Sequence, residues 1–102
     1  MAGSIRPFVA GFEVTGDISL GQLIIAKDIL TTIGFEEVCL AVIRHRVGDW
    51  GELDEEDWEG NERALSYNRR LLSVYLAYNG EPFWIITSAN RDETKVVLPD
   101  SR

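Results

Sequence analysis

The sequence has little cysteine, little histidine and no long apolar run. Its only cysteine, Cys39, cannot form an intramolecular disulfide, which favours a reducing compartment. No stretch approaches the roughly 20 apolar residues of a membrane-spanning helix. The first residues also lack the charged start and apolar run of a signal peptide. We therefore expect a cytoplasmic protein that makes no use of a membrane.

The motifs of metal, nucleotide and covalent chemistry are missing as well. One histidine and one cysteine match no zinc pattern. The chain has no glycine-rich phosphate loop and no serine or cysteine nucleophile motif. The sequence therefore predicts no metal site and no cofactor.

Basic residues are few. The sequence has 10 Lys and Arg residues and 17 Asp and Glu residues, which gives a net charge of −7. This balance disfavours non-specific attraction to nucleic acid or to anionic lipid. We expect a protein partner, and contact with nucleic acid only through a local arginine patch. The length, 102 residues, suits a single domain over residues 1–102 with one core.

The N-terminal third predicts a strand and then a helix. Residues 5–15 alternate between apolar and other side chains, and a proline and a glycine among them suit an edge strand. Apolar residues then recur at helical spacing, which predicts a helix that begins after a cap at Asp17 or Ser19. Gly34 ends this helix.

Two more helices and three strands are predicted next. The second helix covers Glu36–Arg46, a loop follows at Asp49–Leu53, and Asp54 caps the third helix. The predicted strands form a meander turned at Asn79-Gly80, the strongest hairpin signal in the chain. They cover Leu71–Tyr78, Phe83–Ser88 and Thr94–Leu98. The expected fold is α+β, with about three helices on one face of a small antiparallel sheet.

Two motifs carry a family resemblance. They are Arg44-His45-x-x-Gly48-Asp49-Trp50-Gly51, followed by Asp54, Asp57 and Asn61, and Trp84-Ile85-Ile86-Thr87-x-Ala89-x-Arg91, followed by Thr94 and Leu98-Pro99. Over residues 36–100 the chain resembles the small "plasmid-related protein" family of plasmids and other mobile elements. The resemblance implies a genetic setting rather than a mechanism. Members commonly carry Glu and Asp where this chain has Ser88 and Asn90, which puts any chemistry of those acids in doubt here.

His45 allows two interpretations. Its ordinary pKa, near 6.5, suits general acid–base chemistry. At the end of a helix it can equally pack beneath Trp50 and bond a carboxylate such as Asp49, and we favour that structural role.

The loop after His45 and the helix beyond it also allow two interpretations each. The Gly48–Gly51 loop is either a binding loop or a tight corner, and Asn61 is expected to bond its backbone. The acidic block that begins at Asp49 is either a solvated helix face or a docking surface for a basic partner. The candidate binding residues are Arg44, His45, Asp49, Trp50, Asp54, Asp57, Asn61 and Arg91.

Basic residues near the predicted sheet support a second hypothesis. Arg70 and Arg91, with His45 and Tyr75, would hold a phosphate. The order of helices and then a basic sheet loosely resembles metal-independent ribonucleases of the barnase and RelE-toxin type, a likeness at the level of fold only. In this hypothesis His45 is the general acid or base.

Three functions therefore remain open. The first is a small acidic, non-enzymatic protein of a mobile element that binds another protein through its acidic helix and a sheet edge, in anti-defence or plasmid maintenance. The alternative is the metal-independent ribonuclease. The third is a homo-oligomer that pairs two sheets through an edge strand and the aromatic residues Tyr75, Phe83 and Trp84. The sequence leaves the choice between monomer and dimer open.

Overall fold

A computed structural model describes residues 18–99. The strand predicted at residues 5–15 lies outside them. The elements are, in chain order, β1 (Gln22–Ile25), α1 (Ile29–Thr32), α2 (Phe35–Arg46), α3 (Glu55–Tyr67), β2 (Leu71–Leu76), β3 (Pro82–Thr87) and β4 (Glu93–Val97). The strands form one sheet in the order β1-β4-β3-β2.

The predicted α+β fold is confirmed, and so is the C-terminal meander. β2 pairs antiparallel with β3, and β3 pairs antiparallel with β4. The sheet as a whole is mixed rather than antiparallel, because β1 joins its edge parallel to β4.

The helix predicted from Asp17 or Ser19 to Gly34 is wrong. Its first half is β1, and only Ile29–Thr32 is helical. Consecutive apolar residues at 23–25 fit a strand as well as a helix, and two of them are β-branched. Gly21 favours the strand, because its positive φ of 64° lets its backbone lie directly against Asp92 beside β4.

The two long helices begin within one residue of the predicted positions: α2 begins at Phe35 instead of Glu36, and α3 begins directly after its cap at Asp54. α2 ends at Arg46, as predicted. α2 has acidic residues in its first turn and basic residues in its last, which matches the helix dipole. Asp54 caps α3, and its side chain accepts a hydrogen bond of 2.8 Å from the backbone N–H of Asp57. α3 ends at Asn68, which has a left-handed conformation with φ 54°.

The main core lies between the inner face of the sheet and helices α1 and α2. The sheet contributes Tyr75, Phe83, Ile85 and Val96, and Ala77 follows directly after β2. The helical side contributes Ile29, Ile33, Val38 and Ala41. A smaller cluster of Trp50, Ala64 and Leu71 joins α3 to the end of β2. None of the helices within residues 18–99 is long and apolar enough to cross a membrane.

The outer edge of β2 is covered by the loop that precedes α3. Gly51 forms an isolated parallel bridge with Val74. The N–H of Glu52 donates to the Val74 carbonyl at 2.6 Å, and the N–H of Val74 donates to the Trp50 carbonyl at 3.2 Å. The predicted corner at residues 48–51 thus also protects a strand edge from pairing with other chains.

We expect Gly51→Ala to lower the free energy of unfolding by about 2–4 kcal/mol. Its φ of 80° disfavours any side chain, and a Cβ would fall on the Val74 carbonyl oxygen and the Tyr75 ring. Gly80→Ala is the matched control: its φ is 89°, but a Cβ there meets nothing within 4 Å. It should cost only about 1 kcal/mol. Urea denaturation measures both, and equal losses would contradict the close approach at Gly51.

Candidate functional site

Arg44 and Asp49 form the outer layer of the central motif. The Arg44 guanidinium binds the Asp49 carboxylate through two hydrogen bonds, Nε to Oδ2 at 2.8 Å and Nη2 to Oδ1 at 3.2 Å. The guanidinium carbon also lies 4.7 Å from the centre of the Tyr75 ring. The hydrogen bond to Asp49 is the main cause that raises the pKa of Arg44. These contacts hold Arg44 in one orientation at the surface.

Tyr75 supports this pair from below. Its ring is buried and its hydroxyl donates to the Asp49 carbonyl at 2.6 Å. Burial raises the pKa of Tyr75 above its ordinary value. The hydroxyl is thus neutral and already donates its proton to the Asp49 carbonyl. It is therefore not placed to bind the phosphate predicted for it.

His45 lies deeper, with 0% of its surface exposed. Its Nδ1 is 2.6 Å from the Ser73 hydroxyl, and its Nε2 is 2.8 Å from the Thr87 hydroxyl. Its ring meets the buried Trp50 edge to face, with centroids 5.6 Å apart. The predicted packing against Trp50 is confirmed, but the predicted bond to Asp49 is wrong, because Arg44 takes that carboxylate.

The hydroxyl chain determines which His45 nitrogen carries the proton. The Thr94 hydroxyl donates to the backbone carbonyl of Leu20 at 2.7 Å, so it must accept from Thr87, 2.8 Å away. The Thr87 hydroxyl, having given its proton to Thr94, can only accept from His45. Neutral His45 therefore carries its proton on Nε2, and its Nδ1 accepts from the hydroxyl of Ser73.

This environment keeps His45 uncharged at neutral pH. Burial lowers its pKa from 6.5 to about 4, and the positive charge of Arg91 adds to the effect. A general acid or base needs a pKa near the working pH and access to a substrate. His45 has neither in this structure, so the geometry favours the structural role.

Trp50 and Asn61 also serve the fold. The Trp50 side chain is fully buried, and its Nε1 donates to the Glu62 carboxylate at 2.8 Å. The Asn61 amide donates to the Leu72 carbonyl at 2.5 Å and accepts from the Leu72 N–H at 3.1 Å. Asn61 is thus a latch between α3 and the edge of β2, whereas the prediction that it bonds the Gly48–Gly51 loop is wrong.

Arg91 closes the C-terminal end of α3. Its guanidinium donates to the carbonyls of Arg69 at 2.6 Å, Ser88 at 2.9 Å and Ala64 at 3.2 Å. Burial lowers its pKa. With its donors directed at backbone carbonyls, Arg91 joins α3 to the β3–β4 turn.

Arg70, the other arginine of the predicted phosphate site, is exposed on the surface. The structure does not assemble His45, Tyr75 and these arginines into a phosphate site.

Ser88 and Asn90, the two positions that differ from the pattern of the family the motifs resemble, lie in the same turn. The Ser88 hydroxyl is 2.9 Å from both the Asn90 side-chain oxygen and the Asp92 carboxylate. The Asn90 amide donates to Asp92 at 3.1 Å. This network stabilises the turn between β3 and β4.

A surface groove beside α2 is the feature that the sequence interpretation missed. It has a volume of about 310 Å³ and lies between α2 and the ends of β2 and β3. We call it the α2 groove. It is lined by Glu37, Leu40, Ala41, Ile43, Arg44, Tyr75, Leu76, Ala77, Tyr78 and Phe83. The sequence signal is the recurrence of Leu40, Ile43 and Val47 at helical spacing, along α2 and its C-cap, on a side separate from the buried stripe.

The rest of the described surface offers no metal site. Within residues 18–99, no group of three or more His, Cys, Asp or Glu side chains is placed to hold an ion. The candidate residues Asp54 and Asp57 form the cap of α3.

Comparison with known proteins finds no match among protein-family models, curated proteins or solved structures. The resemblance to the plasmid-related family therefore remains a prediction from the motifs.

We expect His45 to make stability depend on pH between 6.5 and 4. The unfolded chain binds a proton at His45 below pH 6.5, whereas the folded protein does so only near pH 4. The folded state is therefore destabilised as the pH falls through this window. The full difference between the pKa values of His45 in the unfolded and folded states corresponds to about 3 kcal/mol of unfolding free energy.

His45→Gln provides the control, because glutamine can bond both hydroxyls but does not titrate. Urea unfolding at pH 7 and pH 4.5 measures the loss in each protein, and the carboxylates contribute to both. The natural protein should lose about 2 kcal/mol more than the variant. Equal losses would show that His45 is not buried in its neutral form.

Proposed function

We propose that this protein acts by binding another protein through the α2 groove. The observation that carries the proposal is a concentration of exposed large apolar side chains along one side of α2. Leu40 and Ile43 are 55% and 56% exposed in the wall of the groove. Val47 continues their stripe, and Leu76 and Tyr78 expose further apolar surface on the opposite wall. Clustered exposed apolar residues with a polar rim are typical of protein-binding surfaces.

The groove is also pre-organised. Arg44 is held by Asp49 and Tyr75, and the backbone N–H of Tyr78 donates to the Glu37 carboxylate at 2.8 Å across the groove. Groups already fixed before association lose little conformational freedom on binding. This rigidity favours binding of a specific partner over non-specific apolar association.

The partner is expected to present an amphipathic helix with basic flanks. A groove beside a helix, with aliphatic side chains three and seven residues apart, suits the apolar face of a second helix. The charge of Arg44 is compensated by Asp49, while Glu37 lies in the groove wall and the chain carries a net charge of −7. Opposite charge on the partner would speed association.

The acidic face of α3 has a secondary part in this proposal. Glu55, Glu56 and Glu59 are exposed and would attract a basic partner at long range. The sheet edge at β2, by contrast, is covered by the Gly51 loop and by Asn61. Binding through the edge of β2 is therefore not part of the proposal.

The family resemblance supplies the setting. A small cytoplasmic protein of a plasmid or phage that binds a host protein would fit anti-defence or plasmid maintenance. The net charge of −7, the single cysteine and the motifs of residues 36–100 support this setting. The ribonuclease alternative finds no such support, since its proposed acid or base, His45, is fully buried.

Capture from a host lysate tests the proposal, with the natural chain and three variants as bait. Ile43→Glu places a charge in the groove and should abolish retention of the specific partner. Tyr67→Glu, at a 69% exposed aromatic residue of α3, is the control and should retain it. Reversal of Glu55, Glu56 and Glu59 to Lys should weaken capture mainly at low salt.

The identified partner is then titrated against purified variants. Leu40→Ala and Ile43→Ala should each raise the Kd at least about tenfold, which is 1.4 kcal/mol. Unfolding in urea checks that the variants are folded. A partner that binds Ile43→Glu and the natural protein equally well would contradict the groove as the binding surface.

A further inference from the structure

The two edges of the sheet differ in their protection. The loop at Gly51 covers the edge of β2, whereas β1 forms the opposite edge. The N–H of Gln22 donates to the Asp92 carbonyl at 3.0 Å, and the N–H of Ala26 donates to Val96 at 2.9 Å. Residues 22, 24 and 26 therefore bond β4, and the N–H and C=O groups of Leu23 and Ile25 point away from the sheet. Within residues 18–99, no backbone group pairs with them.

The β1 edge also lacks the features that block pairing in other proteins. Residues 18–26 contain no charged side chain and no proline. Leu23 is 43% exposed and Ile24 is 36% exposed. Charges, proline, bulges or a covering loop normally protect such an edge. This uncharged edge is suited to pairing with another strand.

We propose that β1 pairs antiparallel with β1 of a second copy, on a twofold axis at Ile24. In this register, Leu23 of each copy faces Ile25 of the other, and the two pairs exchange four backbone hydrogen bonds. Gln22 faces Ala26, and Ile24 faces its own copy. The two four-stranded sheets then form one continuous sheet of eight strands.

Self-complementarity points to a second copy as the occupant. The outward groups are on residues 23 and 25, one on each side of Ile24, so the strand presents the same pattern in either direction. A twofold contact requires this property. No like charges meet in the register, since Lys27 faces Gly21 and Asp28 faces Leu20.

The side chains agree with the backbone register. Ile25 packs against the main core on the helical face of the sheet, and Leu23 lies on the same face because strand residues alternate. Pairing would bring Leu23 of one copy beside Ile25 of the other and extend that apolar face across the axis. The contact is short, so the dimer should dissociate on dilution.

Cysteine cross-linking tests the register. In a Cys39→Ser background, Ile24→Cys places two thiols directly opposite at a non-hydrogen-bonded pair, where Cβ atoms lie about 4.5–5.5 Å apart. Mild oxidation should convert most of the 11.5 kDa chain to a covalent dimer of twice that mass. Gln22→Cys is the matched control, because its two copies lie four residues out of register, about 13 Å apart.

Cross-linking at residue 24 in large excess over residue 22 supports the proposal. No cross-link at residue 24, or equal cross-linking at both positions, overturns it. Equal cross-linking would indicate random collision.

Sedimentation of the protein without new cysteines provides an independent measure. The average mass of the natural chain should rise towards the dimer with concentration. Leu23→Pro removes one outward N–H and leaves the bonds to β4 in place, as proline permits on an edge strand. It should weaken association at least tenfold, with circular dichroism confirming the fold. A natural chain that stays monomeric at the highest concentration tested overturns the proposal.

Discussion

The fold depends on one buried hydrogen-bond chain. It runs from the Ser73 hydroxyl through the His45 ring to the hydroxyls of Thr87 and Thr94, and it ends at the carbonyl of Leu20. These five residues join α2, three strands and the segment that leads into β1. Each polar group is buried or part-buried, so each must be paired, because an unpaired buried donor or acceptor costs about 1–3 kcal/mol. This hydrogen-bond chain therefore fixes the position of α2 on the sheet.

This constraint separates two stripes of α2. The inner stripe is buried: Val38 and Ala41 pack in the core, and His45 belongs to the hydrogen-bond chain. The outer stripe, with Leu40 and Ile43, is free to form the wall of a groove. A motif that includes the only histidine thus supports a rigid helix, and we place the binding chemistry on the opposite side of that helix.

The sequence predicts the local parts of this structure well. Asn79-Gly80 marks the β2–β3 turn, and the Asp54 cap marks the start of α3, because each depends on nearby residues only. β1 is missed because the apolar run at 23–25 suits a helix as well as a strand. Its parallel partner, β4, lies about 70 residues further along the chain. Local patterns carry no information on such a pairing.

The site is predictable only in its composition. The motif identifies His45, Trp50 and Asn61 as structurally important, but not what they bind. Ser73 and Thr87 are separated from His45 by 28 and 42 residues. Ordinary serine and threonine residues in strands give no sign that they will meet a histidine. The α2 groove is hidden for a similar reason, since an apolar stripe on a helix normally predicts burial.

The most direct test of this account is an NMR titration of His45 that follows its ring carbon and nitrogen shifts with pH. The account predicts a neutral ring with its proton on Nε2, and a pKa of about 4. A pKa near 6.5, or a proton on Nδ1, would contradict it, because His45 would then be open to solvent or bonded differently. His45 would in that case return as a candidate for acid–base chemistry.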